Sequence, residues 1–192
     1  MALLRRARRR SGFARGIVVP GCLLALTAGG AGAQQAPADL EQQVKAAYLL
    51  NFTRYVDWPP GTLGDEIVLC VFGAETFGEL VRQTVGGRFS RGRAVRVLTP
   101  DTPSQAGECQ LAYVAGPPSV VAEWMAAVRS RPVLTVGEGT GFLDRGGMIA
   151  FVIVDQTVRF EIDEGAARRT DLRISSRVLA LATRLHGQEA PR

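Results

Sequence analysis

Beyond residue 66 the chain alternates between short, continuous apolar runs and stretches of helical period. IVLCVFG (67–73), CQLAYVA (109–115), PVLTV (132–136) and MIAFVIV (148–154) are apolar almost throughout, as expected of strands covered on both faces. Between them lie amphipathic segments. The first comes before the strands: Val44, Tyr48, Phe52, Tyr55 and Val56 recur at spacings of three and four, with Thr53, Arg54 and Asp57 on the other side. Trp58-Pro59-Pro60 stops this helix, because proline restricts the residue before it and cannot donate a backbone hydrogen bond. Tyr48, Phe52, Tyr55 and Trp58 are expected in the core. A second helix begins at Glu75 or Thr76, turns Phe77, Leu80 and Val81 inward and ends at Gly86-Gly87. A third, over 120–130, buries Val121, Trp124, Met125 and Val128.

Residues 94–98 read as a strand with outward arginines, and 99–107, rich in Pro, Ser and Gly, as a loop. Asp155-Gln156 is a two-residue turn into a strand over 157–162 that alternates Val158, Phe160 and Ile162 with Arg159, Glu161 and Asp163. A last helix is expected over 166–185, with Leu172, Ile174, Val178, Leu181, Ala182 and Leu185 as its buried stripe. The order strand, helix, strand occurs twice, the signature of right-handed parallel crossovers. The predicted class is α/β: a single-domain sandwich with a mostly parallel central sheet, an antiparallel edge hairpin and helices on both faces.

Composition changes this picture at the amino terminus. Arg5, Arg6, Arg8, Arg9, Arg10 and Arg15, an apolar stretch over 17–26 and Ala31-Gly32-Ala33 have the order of an export signal, so residues 1–33 are expected to be a cleaved leader and 34–192 the mature domain. The apolar stretch, broken by Pro20 and Gly21, is shorter than the roughly 20 residues that cross a bilayer. Of 23 basic and 18 acidic residues, six arginines and no acids lie in the leader, which leaves 17 against 18 and a net charge of −1. The basicity that would suggest nucleic acid therefore belongs to the leader.

Cys70 and Cys109 are the two cysteines after the leader. They form either a disulfide or a pair of buried thiols, and an exported chain favours the disulfide. Arg88, Arg91, Arg93 and Arg96 could form an anion patch but more commonly make a solvated loop. Gly137-Glu138-Gly139-Thr140-Gly141 lacks both the Lys-Ser/Thr pair of a phosphate loop and the third glycine of a dinucleotide fingerprint. Gly73, Gly116 and Gly137 fall at the carboxyl ends of predicted parallel strands, where such sheets hold ligands. With Gly139, Ser175 and Ser176 they form a candidate small-ligand set, although the glycines also suit turns and the serines can bond back to helix carbonyls. The sole histidine, His186, falls at the expected end of the last helix, where it would offset the helix dipole. No triad, free thiol nucleophile or metal-ligand spacing is evident, so no enzyme activity, cofactor or metal is expected.

AAYLLNFTRYVDWPP followed by IVLCVFG, then PVLTVGEGTGFLDRGGMIAFVIVD, VRFEID and LRISSRVLALA, resembles the YfiR family of small periplasmic proteins of Gram-negative bacteria, over nearly all of the chain after the leader. The resemblance implies a periplasmic, non-enzymatic regulator, homodimeric, that binds the periplasmic sensor region of an inner-membrane diguanylate cyclase and represses it. The quoted motifs look like core and turns, so they assign no contact residues. The competing expectation is a small-molecule binding protein that uses the glycine-lined crevice and feeds a sensor or transporter.

Overall fold

The computed structural model describes residues 37–187; the expected leader and the last five residues lie outside them. The elements run α1 (Pro37–Tyr55), β1 (Val56–Asp57), β2 (Glu66–Phe72), α2 (Glu75–Val85), β3 (Phe89–Ser90), β4 (Arg93–Leu98), a 3-10 helix (Pro103–Glu108), β5 (Leu111–Val114) and α3 (Pro118–Val128). They continue with β6 (Leu134–Glu138), α4 (Gly141–Asp144), β7 (Ile149–Val154), β8 (Thr157–Asp163), α5 (Glu164–Arg168), β9 (Arg173–Ile174), α6 (Ser176–Leu179) and β10 (Arg184–His186).

Eight strands form one sheet in the order β10-β8-β7-β6-β5-β2-β4-β3. From β7 across to β4 every pair is parallel, with Leu69 opposite Leu111, Tyr113 opposite Val136 and Val136 opposite Ile149. The chain moves from β2 to β4 on one side, then returns to place β5, β6 and β7 on the other, so the direction of winding reverses between β2 and β5. Side chains alternate across the sheet. Ile67, Leu69, Val71, Leu111, Tyr113, Leu134, Phe151 and Phe160 face α1 and α2, whereas Val68, Cys70, Phe72, Ala112 and Val114 meet α3 and α4. Burial on both faces is why these strands read as uninterrupted apolar runs. Phe72 and Trp124 stack at 3.9 Å between ring centres on the second face, and Phe52 packs edge-on to Phe160 at 5.2 Å on the first.

The predicted α/β sandwich is therefore present, with the β7-β8 hairpin standing one strand in from the edge because β10 adds alongside β8 in parallel. Cys70 and Cys109 are bonded, their Cα atoms 5.8 Å apart, tying β2 to the turn that feeds β5. Closing a loop of 39 positions stabilises the fold by about 4 kcal/mol in the chain-entropy account.

Helix α1 begins at Pro37, about two turns ahead of Val44, the first expected apolar position, since proline suits the first turn of a helix. Its buried surface is wider than the expected stripe. Thr53, placed on the polar side by periodicity, is fully buried; its hydroxyl donates to Leu50 O at 2.7 Å and accepts from the Ser90 hydroxyl at 2.8 Å, because α1 is covered by β3 as well as by the rest of the sheet and α2. Tyr55, expected in the core, is 37% exposed.

The expected helix over 166–185 is not formed. Asp171 adopts a left-handed φ of 59°, which ends the helical turn of α5. Leu172 and Ile174 are buried around exposed Arg173, a strand alternation rather than a helical one, and β9 pairs antiparallel with β1 through Val56 and Ile174. Ser175 then caps α6, its Oγ accepting from the Arg177 N–H at 3.3 Å, and the Thr183 N–H donates to Phe160 O at 2.9 Å as β10 starts. Leu181, assigned to the buried stripe, is 66% exposed.

Candidate functional site

At the carboxyl ends of β2 and β5 the backbones approach closely. Gly73 has φ +69°, and a Cβ there would lie 2.1 Å from Ala115 O; Gly116, at φ +117°, stands opposite, with Gly73 O at 4.0 Å from its own would-be Cβ. These two expected residues are thus brought together at the winding reversal. Gly137 is next to Phe142, whose ring would be 2.4 Å from a Cβ, so the space a side chain would fill is taken by the chain itself. Gly139 turns away at φ +71° with open space beside it.

Ser175 and Ser176 do not join them. The Ser175 N–H donates to Tyr55 O at 2.8 Å, and Tyr55 is about 15 Å of helix rise from the part of α1 that lies over the strands' carboxyl ends. His186 sits on β10, not at a helix end, and its Nε2 is 2.9 Å from Glu161 Oε2, a carboxylate only 7% exposed.

The polar centre of the carboxyl end is a cluster that periodicity does not reveal. Lys45, the one lysine of the chain, is 3% exposed. Its Nζ lies 2.6 Å from Glu41 Oε1 and 2.9 Å from both Glu138 oxygens, while the Tyr113 hydroxyl donates to Glu138 Oε1 at 2.5 Å. Glu138 ends β6, Tyr113 comes from β5, and Glu41 and Lys45 are one helical turn apart on α1, so the cluster bolts that helix to the sheet. Burial, the largest influence on Lys45, pulls its pKa down, but hydrogen bonds and charge from Glu41 and Glu138 together outweigh it and hold the ammonium above its ordinary value. Burial first, and then the Glu138 charge, push the Tyr113 phenol strongly upward. Both groups therefore keep their protons through neutrality, which suits a fixed ion pair better than proton transfer. The readable signal was a solitary lysine with Glu41 four residues before it in a chain that otherwise uses arginine.

Beside this cluster, a groove of about 540 Å³ runs between α1 and the start of α2, with Phe77, Leu80 and Tyr113 as its wall and Asp39, Gln42 and Glu75 at its rim. A larger open cavity of about 1060 Å³ lies at the opposite end, against Trp58-Pro59-Pro60, Glu164, Arg168 and Arg173. Trp58 itself is 8% exposed and donates from Nε1 to Gln110 O at 3.2 Å, so it anchors the turn as a core residue. The arginine segment is largely engaged: Arg91 pairs with Asp57 at 2.7 Å, Arg96 with Glu66 at 2.8 Å, and Arg93 donates to Gly64 O at 2.7 Å. It is a clasp between loops rather than a free anion patch. Among the described residues no group of three or more His, Cys, Asp or Glu side chains could hold a metal ion, and no helix is long and apolar enough to cross a membrane.

Solved structures share the fold. A conserved domain protein from Vibrio cholerae O1 biovar El Tor is 14% identical, with a TM-score of 0.51 over 76% of this chain and 60% of its own. The ABC domain from Streptococcus pneumoniae, determined in complex with L-Trp, is 12% identical, with a TM-score of 0.52 over 73% of this chain and 60% of its own. The chain thus spans about 60% of the length of each of these two structures. No curated protein sequence matches it. Residues 42–183, from the second turn of α1 to the residue before β10, match the YfiR/HmsC-like family, and the chain belongs to that family.

Proposed function

We propose that this protein is a periplasmic regulator without catalytic activity, which binds the periplasmic sensor region of an inner-membrane diguanylate cyclase and represses it. The observation that carries this reading is the family match over residues 42–183, which takes in every strand of the parallel core. Support also comes from the character of the strand-end cluster, whose titratable groups are locked to one another by Lys45 and Glu138. The export signal read in residues 1–33 is consistent with a periplasmic location. By the same family likeness the regulator is proposed to work as a homodimer. Deleting the gene and measuring cyclic di-GMP tests the proposal: levels rise on deletion and return on complementation, and a membrane cyclase is recovered by cross-linking. Unchanged cyclic di-GMP with no membrane sensor recovered removes it.

A second reading is favoured by the groove between α1 and α2, which opens beside Gly73 and Tyr113 at the winding reversal. In this reading the protein binds a small periplasmic molecule there and hands it to a sensor or transporter. Ala74, which follows Gly73 in the chain, lines that site, whereas Gly116, Ser175 and Ser176 are not among its walls. Thermal stabilisation by a metabolite, abolished when Leu80→Arg fills the groove, is the expected sign.

A further inference from the structure

A third cavity, on the α3 and α4 face near the amino-terminal ends of β6 and β7, has a composition unlike the others. It encloses about 300 Å³ and is lined by three arginines, Arg129, Arg145 and Arg169, with no aspartate or glutamate among its walls. The three come from separate places in the chain, each directly after the last residue of a helix: Arg129 after α3, Arg145 after α4 and Arg169 after α5. Three exposed cations converging without an acidic partner repel one another, whereas Arg82, Arg91, Arg96 and Arg168 each sit in an ion pair. None of the three cavity arginines makes an ion pair among the described residues, and the one hydrogen bond they share out is from Arg145 Nη1 to Gly141 O at 2.9 Å.

The floor adds a second, independent feature. Thr135 lines the cavity and is 1% exposed; its Oγ1 accepts from the Met148 N–H at 3.1 Å, and its own proton meets no acceptor among the described hydrogen bonds. A buried hydroxyl with a donor to spare faces the same space as the three guanidiniums. Around it Met125 and Met148 supply an apolar surface. Guanidinium forks match oxyanions geometrically, and three of them exceed what a single carboxylate can neutralise.

We propose that this cavity binds a phosphate-type oxyanion carried on a compact apolar body, held by Arg129, Arg145 and Arg169 with the Thr135 hydroxyl as inner donor. The oxyanion belongs either to a free phosphomonoester or to a lipid headgroup, and the site is separate from both readings of function given above.

Titration calorimetry at constant ionic strength, with phenyl phosphate, inorganic phosphate and phosphatidylglycerol vesicles as probes, tests this. The purified protein is expected to take up one phenyl phosphate per chain, and inorganic phosphate more weakly for want of the apolar contact. Each of Arg129→Gln, Arg145→Gln and Arg169→Gln weakens binding about tenfold or more, as for loss of a charge-assisted hydrogen bond. Arg88→Gln, which removes the same charge away from the cavity, leaves affinity unchanged. Vesicle binding that is lost in the triple variant, with no uptake of phenyl phosphate, assigns the oxyanion to a lipid. Circular dichroism and melting of the variants establish that they fold. Absence of binding to all three probes, or an equal loss in Arg88→Gln, overturns the proposal.

Discussion

Replacing Lys45 with methionine tests how α1 is fixed to the sheet. The substitution keeps an unbranched apolar stem of similar length, so the packing around this 3% exposed side chain is largely retained and the change falls on charge. Stranding one partner of a buried ion pair typically costs about 3–5 kcal/mol. Here the two carboxylates left behind keep 36% and 40% exposure at Glu41 and Glu138, so water takes over part of the lysine's role. The loss then falls to the range of one charge-assisted hydrogen bond, about 2 kcal/mol, equivalent to a melting temperature lower by about 4–8 °C for a domain of this size. Differential scanning calorimetry of Lys45→Met, Glu138→Met and the double variant is the assay. The double variant should be less destabilised than the two singles summed, because it leaves no charge unpaired at Glu138. A melting point for Lys45→Met within 1 °C of the parent, or strict additivity, would refute the reasoning.

The same cluster sets an alkaline limit: the folded-state pKa values of Lys45 and Tyr113 are raised above their ordinary 10.5 and 10.0. Their contribution is complete below about pH 10 and is lost as pH rises through the folded values, so Lys45→Met/Tyr113→Phe should flatten the fall of melting temperature above pH 10. Cys70→Ser/Cys109→Ser should lower stability by about 4 kcal/mol in denaturant titration, with reductant producing the same loss in the parent and none in the variant. Gly73→Ala, which combines positive φ with a Cβ placed 2.1 Å from Ala115 O, should cost at least about 2 kcal/mol by chemical denaturation. Leu181→Asp should leave the melting point within about 1 °C, whereas Leu172→Asp should prevent folding; equal effects from the two would restore a continuous carboxyl-terminal helix.

The parallel core was legible because strands buried on both faces carry no polar interruption, as in IVLCVFG and CQLAYVA, and because each following helix buries residues at helical spacing, as Val121, Trp124, Met125 and Val128 do. What escaped was built from pieces two to five residues long. Strands β1, β3 and β9 hold too few residues to show a period, and β9, α6 and β10 together mimic a helical stripe because Ile174, Val178, Leu181 and Leu185 happen to fall near one face of an ideal helix. At the candidate site, Gly73 and Gly116 were readable from strand ends, since a tight turn there needs glycine. Lys45 stood out as the one lysine, four residues after Glu41, but its burial did not: its partners Glu138 and Tyr113 come from distant positions, and a lysine on an amphipathic helix is ordinarily solvated. Ser175 and Ser176 were misplaced with the helix that carried them, and the convergence of Arg129, Arg145 and Arg169 depends on three turns whose proximity only the fold supplies.

The short ribbon between Val56 and Ile174 joins residues 118 positions apart (174 minus 56), and it seals the end of α1 against the last quarter of the chain. A growing or translocating polypeptide cannot complete this closure until nearly all of it has emerged, because the piece that finishes the first helix's surroundings is made last. This part of the fold therefore closes late, and a truncation ahead of residue 172 should yield a chain that never settles.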